Sequence, residues 1–266
     1  MSRYAAMFDG LAARGEGVLG AFVMLGDPDL ATSAVILDRL VEAGADMLEV
    51  GIPFSDPVAD GPVIQAAATR ALAAGVTPGD CFALLADFRR RRPEVPVGIL
   101  TYANLVVARG QKEFFRRAAE AGVDSVLIAD VPVIEAAPFA AAARTEGVEP
   151  VLIAAANTPP ERLAEISRLG GGYTYCLARA GVTGAETEAR FDQQPMLAAL
   201  AKAGAPPPVL GFGISTPGHV RAALDAGAAG VISGSAIVDL IARDGLDELG
   251  AFVAAMKAST RRGVAA

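Results

Sequence analysis

The stretch Met47-Leu48-Glu49-Val50-Gly51-Ile52-Pro53-Phe54-Ser55-Asp56-Pro57-Val58-Ala59-Asp60-Gly61-Pro62 carries three carboxylates in a short span. Successive side chains of a strand point to opposite faces, so Leu48, Val50 and Ile52 share one face while Met47, Glu49 and Gly51 share the other. An ionised carboxylate buried among Met, Leu and Val neighbours is costly, and desolvation raises its pKa. Glu49 is therefore a candidate proton donor and acceptor near neutral pH. A structural Glu paired with an arginine or lysine is the competing reading. Asp56 and Asp60 follow in a loop stiffened by Pro53, Pro57 and Pro62 and able to hinge at Gly61. Asp60 admits two readings, the second carboxylate of a two-acid site or the N-cap of a helix starting near Pro62. Asp56 has a further option, a loop-closure contact.

Two other regions carry chemistry. In Tyr173-Thr174-Tyr175-Cys176-Leu177-Ala178-Arg179-Ala180-Gly181-Val182-Thr183-Gly184, Tyr173 and Tyr175 share a strand face, which brings one or both hydroxyls toward the same interior. The polar run from Arg179 to Gln194 exceeds an ordinary strand-to-helix loop, and loops of that length are often lids. Gly211-Phe212-Gly213-Ile214-Ser215 and Ser233-Gly234-Ser235-Ala236 let backbone N–H groups approach a ligand, and a helix starting there adds its N-terminal partial charge. That combination suits a phosphate without lysine or arginine. His219, the only histidine, falls in a helix after Pro217-Gly218, away from the predicted mouth of the site, so a His-based triad or His-ligated metal site is excluded and no metal is expected.

These residues need a scaffold. Short apolar runs recur at Val18–Met24, Met47–Ile52, Val97–Tyr102, Ser125–Ala129, Pro150–Ala154, Tyr173–Cys176, Val209–Phe212 and Val231–Ser233. Their near-continuous apolarity suits parallel strands covered on both faces. Helix-period segments lie between them, Ala31–Ala43 and Gln111–Ala121 each running into a glycine, and Thr216-Pro217 opening another. One junction occurs three times, as Ala43-Gly44-Ala45-Asp46, Ala121-Gly122-Val123-Asp124 and Ala226-Gly227-Ala228-Ala229. A repeated helix end, glycine turn and strand start predicts an α/β chain built as one (β/α)8 TIM barrel over residues 1–266. Extra helices are expected at Ser2–Ala13 and Leu246–Ser259. A doubly wound open sheet is disfavoured because no Gly-x-Gly-x-x-Gly follows the first strand. In a barrel the chemistry belongs where strands end and βα loops begin, which is where the residues above fall.

The 266 residues are 53% hydrophobic and 20% charged, which excludes a disordered chain. A net charge of −7 argues against nucleic-acid binding. Two distant cysteines, Cys81 and Cys176, exclude a disulfide scaffold and suggest a reducing compartment. The N-terminal segment lacks a signal peptide's apolar core, and no apolar run approaches the ~18 residues of a membrane span. The expectation is a soluble, cytoplasmic protein.

Leu25-Gly26-Asp27-Pro28 and the stretch Glu49 to Pro62 strongly resemble the tryptophan synthase alpha chain family. Tyr102-Ala103-Asn104, Ala129-Asp130-Val131-Pro132, Arg179 to Gly184, Gly211 to Ile214 and Ser233 to Ala236 match it in order over almost the whole chain. The resemblance implies retro-aldol cleavage of indole-3-glycerol phosphate to indole and glyceraldehyde 3-phosphate. It implies Glu49 as the catalytic acid and base and Asp60 as the carboxylate that holds the indole N–H. Phe22 and Leu100 would pack against the indole, Tyr175 would contact substrate, and Gly184, Gly213, Gly234 and Ser235 would cradle the phosphate. Asp56 and Thr183 would meet on loop closure. It implies a partner, the beta chain, in an α2β2 heterotetramer docked through Asn104 and the Asp56–Pro57 region. Pyridoxal phosphate is expected only in that partner, and this chain is expected to need no cofactor. The sequence departs from the family at Met24, where threonine is usual, and at Ala178, where serine is common.

Other phosphate-binding barrels fit less well. An indole-glycerol-phosphate synthase wants a lysine at a strand end, yet Lys112, Lys202 and Lys257 fall in helical segments, and a ribulose-phosphate epimerase needs several histidines. A pure docking module has no use for an inward carboxylate.

Overall fold

A computed structural model describes residues 1–177, 193–244 and 246–261. Among these, strands β1 (Val18–Met24), β2 (Met47–Gly51), β3 (Val97–Thr101), β4 (Ser125–Ile128), β5 (Glu149–Ala155), β6 (Thr174–Leu177), β7 (Pro208–Gly211) and β8 (Gly230–Ser233) form a closed parallel barrel in sequence order. β8 pairs back onto β1, with Val18 opposite Gly230. Around the strands run α1 (Arg3–Ala13), α2 (Leu30–Glu42), α3 (Pro62–Ala73), α4 (Pro78–Arg91), α5 (Ala103–Val107) and α6 (Gln111–Glu120). They continue with α7 (Ala136–Thr145), α8 (Pro160–Leu169), α9 (Gln194–Ala203), α10 (Pro217–Asp225), α11 (Ser235–Asp244) and α12 (Leu249–Ala258), with a 3-10 turn at Val133–Glu135. The expected (β/α)8 barrel is what forms, and the expected strands match within a residue or two. All seven residues of β1 and all five of β2 are buried, as parallel strands covered on both faces require.

Local chemistry sets the boundaries. Asp29 accepts the Thr32 N–H to cap α2, Thr77 and Asp80 form a reciprocal capping box on α4, and Thr216 accepts the His219 N–H at the start of α10. The thrice-repeated Ala-Gly junction works through the glycine: Gly44, Gly122 and Gly227 have φ of 109°, 76° and 104°. That left-handed conformation turns each helix directly into the next strand. Lys112, Lys202 and Lys257 lie in α6, α9 and α12, as expected.

The expected N-terminal helix closes the N-terminal end of the barrel, while the C-terminal one, α12, packs outside against α2 and α10. α1 sends Tyr4, 2% exposed, up into the interior, where its hydroxyl shares a 2.8 Å hydrogen bond with Ser125. Asp124, at the foot of β4, accepts from Arg89 at 2.7 Å, Arg3 at 2.8 Å and the Val97 N–H at 2.8 Å. At the foot of β2, Asp46 accepts from Lys257 of α12 and from the Leu19 N–H, each at 2.8 Å. The opposite end, where the strands finish, is left to the βα loops. Among the described residues, no single helix is long and apolar enough to cross a membrane.

Candidate active site

Strand register places Glu49 of β2 beside Phe22 of β1 and Gly98 of β3, and Gly98 in turn beside Ser125 of β4. Glu49 is 1% exposed. Its Oε1 accepts a 2.6 Å hydrogen bond from the Tyr173 hydroxyl. No cation among the described residues pairs with it, so the structural ion-pair reading fails. Burial pushes its carboxyl up to about 7, against the opposing effect of the Tyr173 hydrogen bond. The Tyr173 ring lies 5.4 Å from that of Tyr4 and tilted 58° to it, which joins Glu49 to the plug helix through packed phenols. Gly98 makes this possible: a Cβ there would sit 2.6 Å from Ser125 Oγ and 3.0 Å from the Tyr4 hydroxyl. Glu49 thus stands on a floor of three hydroxyls, polar enough to orient it and carrying no positive charge to neutralise it.

Asp60 lies half-buried in the loop between β2 and α3. The N-cap of α3 is Gly61, with no side-chain cap bond, so the capping reading of Asp60 does not hold. Burial raises the Asp60 pKa, and the Tyr102 hydroxyl that faces its carboxyl opposes that rise. Tyr175 reaches toward both carboxylates, whose charges add to burial in holding its hydroxyl protonated. Gly211 leaves room for that ring, since a Cβ there would fall 2.1 Å from the Tyr175 hydroxyl. Phe22 is buried on β1, and Leu100 is half-buried on β3 opposite Gly51. Glu49, Asp60, Phe22 and Leu100 therefore gather on the β1–β3 side of the barrel mouth, and Tyr175 of β6 reaches in from across it. Met24 takes up space there too, its thioether within 2.9 Å of where a Gly51 Cβ would stand.

The glycine-bearing ends of β7 and β8 form the other side. Phe212 and Gly213 have φ of 83° and 76°, a left-handed pair in which Phe212 is the one non-glycine with positive φ among the described residues. Gly213 is exposed, Gly234 links β8 to α11, and exposed Ser235 is the first residue of α11. Ser233 Oγ braces the two ends by donating to the Ile214 carbonyl at 2.7 Å. The N–H groups opening α11 face the mouth, an arrangement suited to an anion. Thr183 and Gly184, and with them most of the 179–194 run and Ala178, lie outside the described residues. Asp56 is exposed, with Ser55 Oγ donating to it at 2.5 Å.

One expectation is corrected. His219 was read as lying away from the mouth, but it sits in the first turn of α10. A helix that follows a parallel strand starts at the strand's C-terminal end, which is the mouth side. There its Nδ1 accepts the Ser215 N–H at 3.3 Å on the rim, outside the barrel interior. Sequence reasoning also assigned no part to Tyr4, Ser125 or the Tyr102 hydroxyl, and it missed the paired 2.7 Å hydrogen bonds from Arg70 that pin Asp27 to α3. Tyr102 belongs to a quoted motif, a signal present but unused; nothing local marks Tyr4 or Ser125. Among the described residues, no group of three His, Cys, Asp or Glu is placed to hold a metal.

Comparison with known proteins agrees with this fold. The tryptophan synthase alpha chain family matches residues 8–262. The alpha chain of Shewanella oneidensis is 56% identical over 97% of this chain and 95% of its own length. That of Serratia proteamaculans is 54% identical over 98% and 100%. Among solved structures, tryptophan synthase from Mycobacterium tuberculosis superposes with a TM-score of 0.89 at 30% identity, covering 98% of this chain and 99% of that one. The alpha subunit from Legionella pneumophila gives 0.86 at 30%, covering 98% of each. Fold and sequence thus agree, and the chain belongs to the tryptophan synthase alpha chain family.

Proposed function

We propose that this chain, acting as one barrel domain over residues 1–266, cleaves indole-3-glycerol phosphate to indole and glyceraldehyde 3-phosphate. The observation that carries the reading is Glu49, buried against a phenol alone and titrating near neutrality. The carbon–carbon bond between indole C3 and the glycerol chain breaks as a proton is delivered to C3. The hydroxyl on the adjacent carbon gives up its proton and becomes the aldehyde, so the proton count balances. A carboxyl poised near pH 7 can move both protons. Asp60 accepts the indole N–H and stabilises positive charge developing on the ring. Phe22 and Leu100 hold the indole, Tyr175 contacts substrate, and Gly184, Gly213, Gly234 and Ser235 bind the phosphate. Asp56 and Thr183 meet when the loops close.

Membership in the alpha-chain family implies a beta-chain partner, which carries the family's pyridoxal phosphate. Exposed Val58, Val107 and Ile134 follow β2, β3 and β4 in turn, forming an apolar arc on one side of the mouth beside Asp56 and Asn104. We assign the beta chain to this arc, in an α2β2 assembly in the cytoplasm that passes indole onward without release. The net charge of −7 offers nucleic acid no attraction. The test is indole release by the purified chain with and without added beta chain. Slow release that the partner stimulates is expected; no release in either condition from folded protein overturns the reading.

A further inference from the structure

We propose that Tyr102 is a positioning residue for Asp60, tying the loop after β2 to the short helix α5. The inference rests on reading Asp60 as a substrate-binding carboxylate. Tyr102 follows β3 directly and is 3% exposed. Its ring lies 5.4 Å from Phe54, at the start of the carboxylate loop, and its hydroxyl accepts the Ala59 N–H at 3.2 Å. That hydroxyl keeps its own proton free, and the contact with Ala59 sets it beside the next residue, Asp60, whose carboxyl it faces. One phenol thus grips both ends of the loop. Its carbonyl accepts the Leu105 N–H at 3.1 Å inside α5, and the next residue, Ala103, donates its N–H to Asp130 after β4 at 2.8 Å.

Among the described residues, Tyr175 faces Asp60 from across the mouth, and Gln65 is spent on the Asp60 backbone carbonyl at 2.7 Å. No arginine, lysine or histidine among the described residues is paired with Asp60. A loop carboxylate with so few partners has many orientations open to it, and a neutral donor that also holds the backbone selects one without cancelling its charge.

Tyr102→Phe keeps the ring and removes only the hydroxyl. We expect it to weaken binding of indolepropanol phosphate, an uncleavable substrate analogue, by about tenfold, and to raise KM more than it lowers kcat. In the Asp60→Asn background the same change should cost less than about twofold, because a residue that acts through Asp60 has nothing left to act on. Equal losses in both backgrounds, or none in either, would overturn the proposal. A measurement without substrate separates this from the functional reading: 13C titration of the Asp60 carboxyl, its signal identified by its absence in Asp60→Asn. The midpoint should rise by about one pH unit in Tyr102→Phe, since the hydroxyl that favours the ionised form is gone. An unmoved midpoint refutes the positioning role, whereas failure of the wild-type chain to bind the analogue counts against the functional reading alone.

Discussion

The two ends of this barrel treat buried carboxylates in opposite ways. At the closed end, Asp124 meets two arginines at 2.7 and 2.8 Å, and Asp46 meets Lys257 at 2.8 Å. At the mouth, among the described residues, Glu49 accepts from the Tyr173 phenol and Asp60 faces that of Tyr102, with no cation paired to either. A carboxylate locked to a permanent cation serves as a cross-link: it ties α1, α4 and α12 to strand ends, and a proton arriving there would break the tie. A carboxylate facing a neutral donor must take its neutralising charge from a proton or from the substrate, which leaves it able to exchange either. The difference lies in the partner more than in the depth of burial.

That contrast can be broken most severely at Glu49. Glu49→Gln keeps a carbonyl acceptor for Tyr173 but cannot carry the proton, so indole release should fall by about a thousandfold or more in a steady-state assay. The same variant tests the cost of the site. The Glu49 carboxyl is raised from 4.5 to about 7 in the folded chain, so its ionisation opposes folding. Its contribution to stability is fully present below pH 4.5 and is lost as pH rises to about 7, an effect on the order of 3 kcal/mol. Urea unfolding at pH 8 should therefore find Glu49→Gln more stable than wild type, with the two converging near pH 4.5. A less stable variant at pH 8 would contradict the account of the mouth.

The converse test is Asp124→Asn at the closed end. It leaves Arg3 and Arg89 without their carboxylate, and unfolding should show a loss of about 3 kcal/mol. The activity of the folded fraction should stay within about twofold; a large fall in kcat would mean that the two ends are not separate in role. The finest test is Tyr173→Phe. Removing the donor takes away the one contact that lowers the Glu49 pKa, so the matching limb of a kcat/KM profile should move to higher pH with at most about a tenfold loss of rate. A limb that does not move would show that the phenol serves packing alone.

Much of this was legible in the sequence because it is local. Period-two alternation in Met47–Ile52 put Glu49 on the inner face, and the repeated Ala-Gly junctions announced the βα repeat. The paired glycine-bearing strand ends marked the side of the mouth suited to an anion. What stayed hidden depends on contacts between distant segments. Asp60 had the spacing of an N-cap, yet a loop backbone that makes Gly61 the cap frees its carboxyl for Tyr102. The mouth-side place of His219 stayed hidden as well, because a helical pattern does not state at which end of the barrel α10 begins.

Sequence alone therefore determined the order of elements, the inward face of β2, the shared face of Tyr173 and Tyr175 and the chemical types available at the strand ends, since side-chain periodicity and glycine turns act within a few residues. Tertiary structure alone decided which partner each acid received. Tyr173 reaches Glu49 across 124 residues of chain only because the barrel closes in one register, and Gly98 leaves the space in which Ser125, Tyr4 and Tyr173 meet beneath it. Packing and closure bring those groups together, and no local pattern in the chain encodes the distance between them.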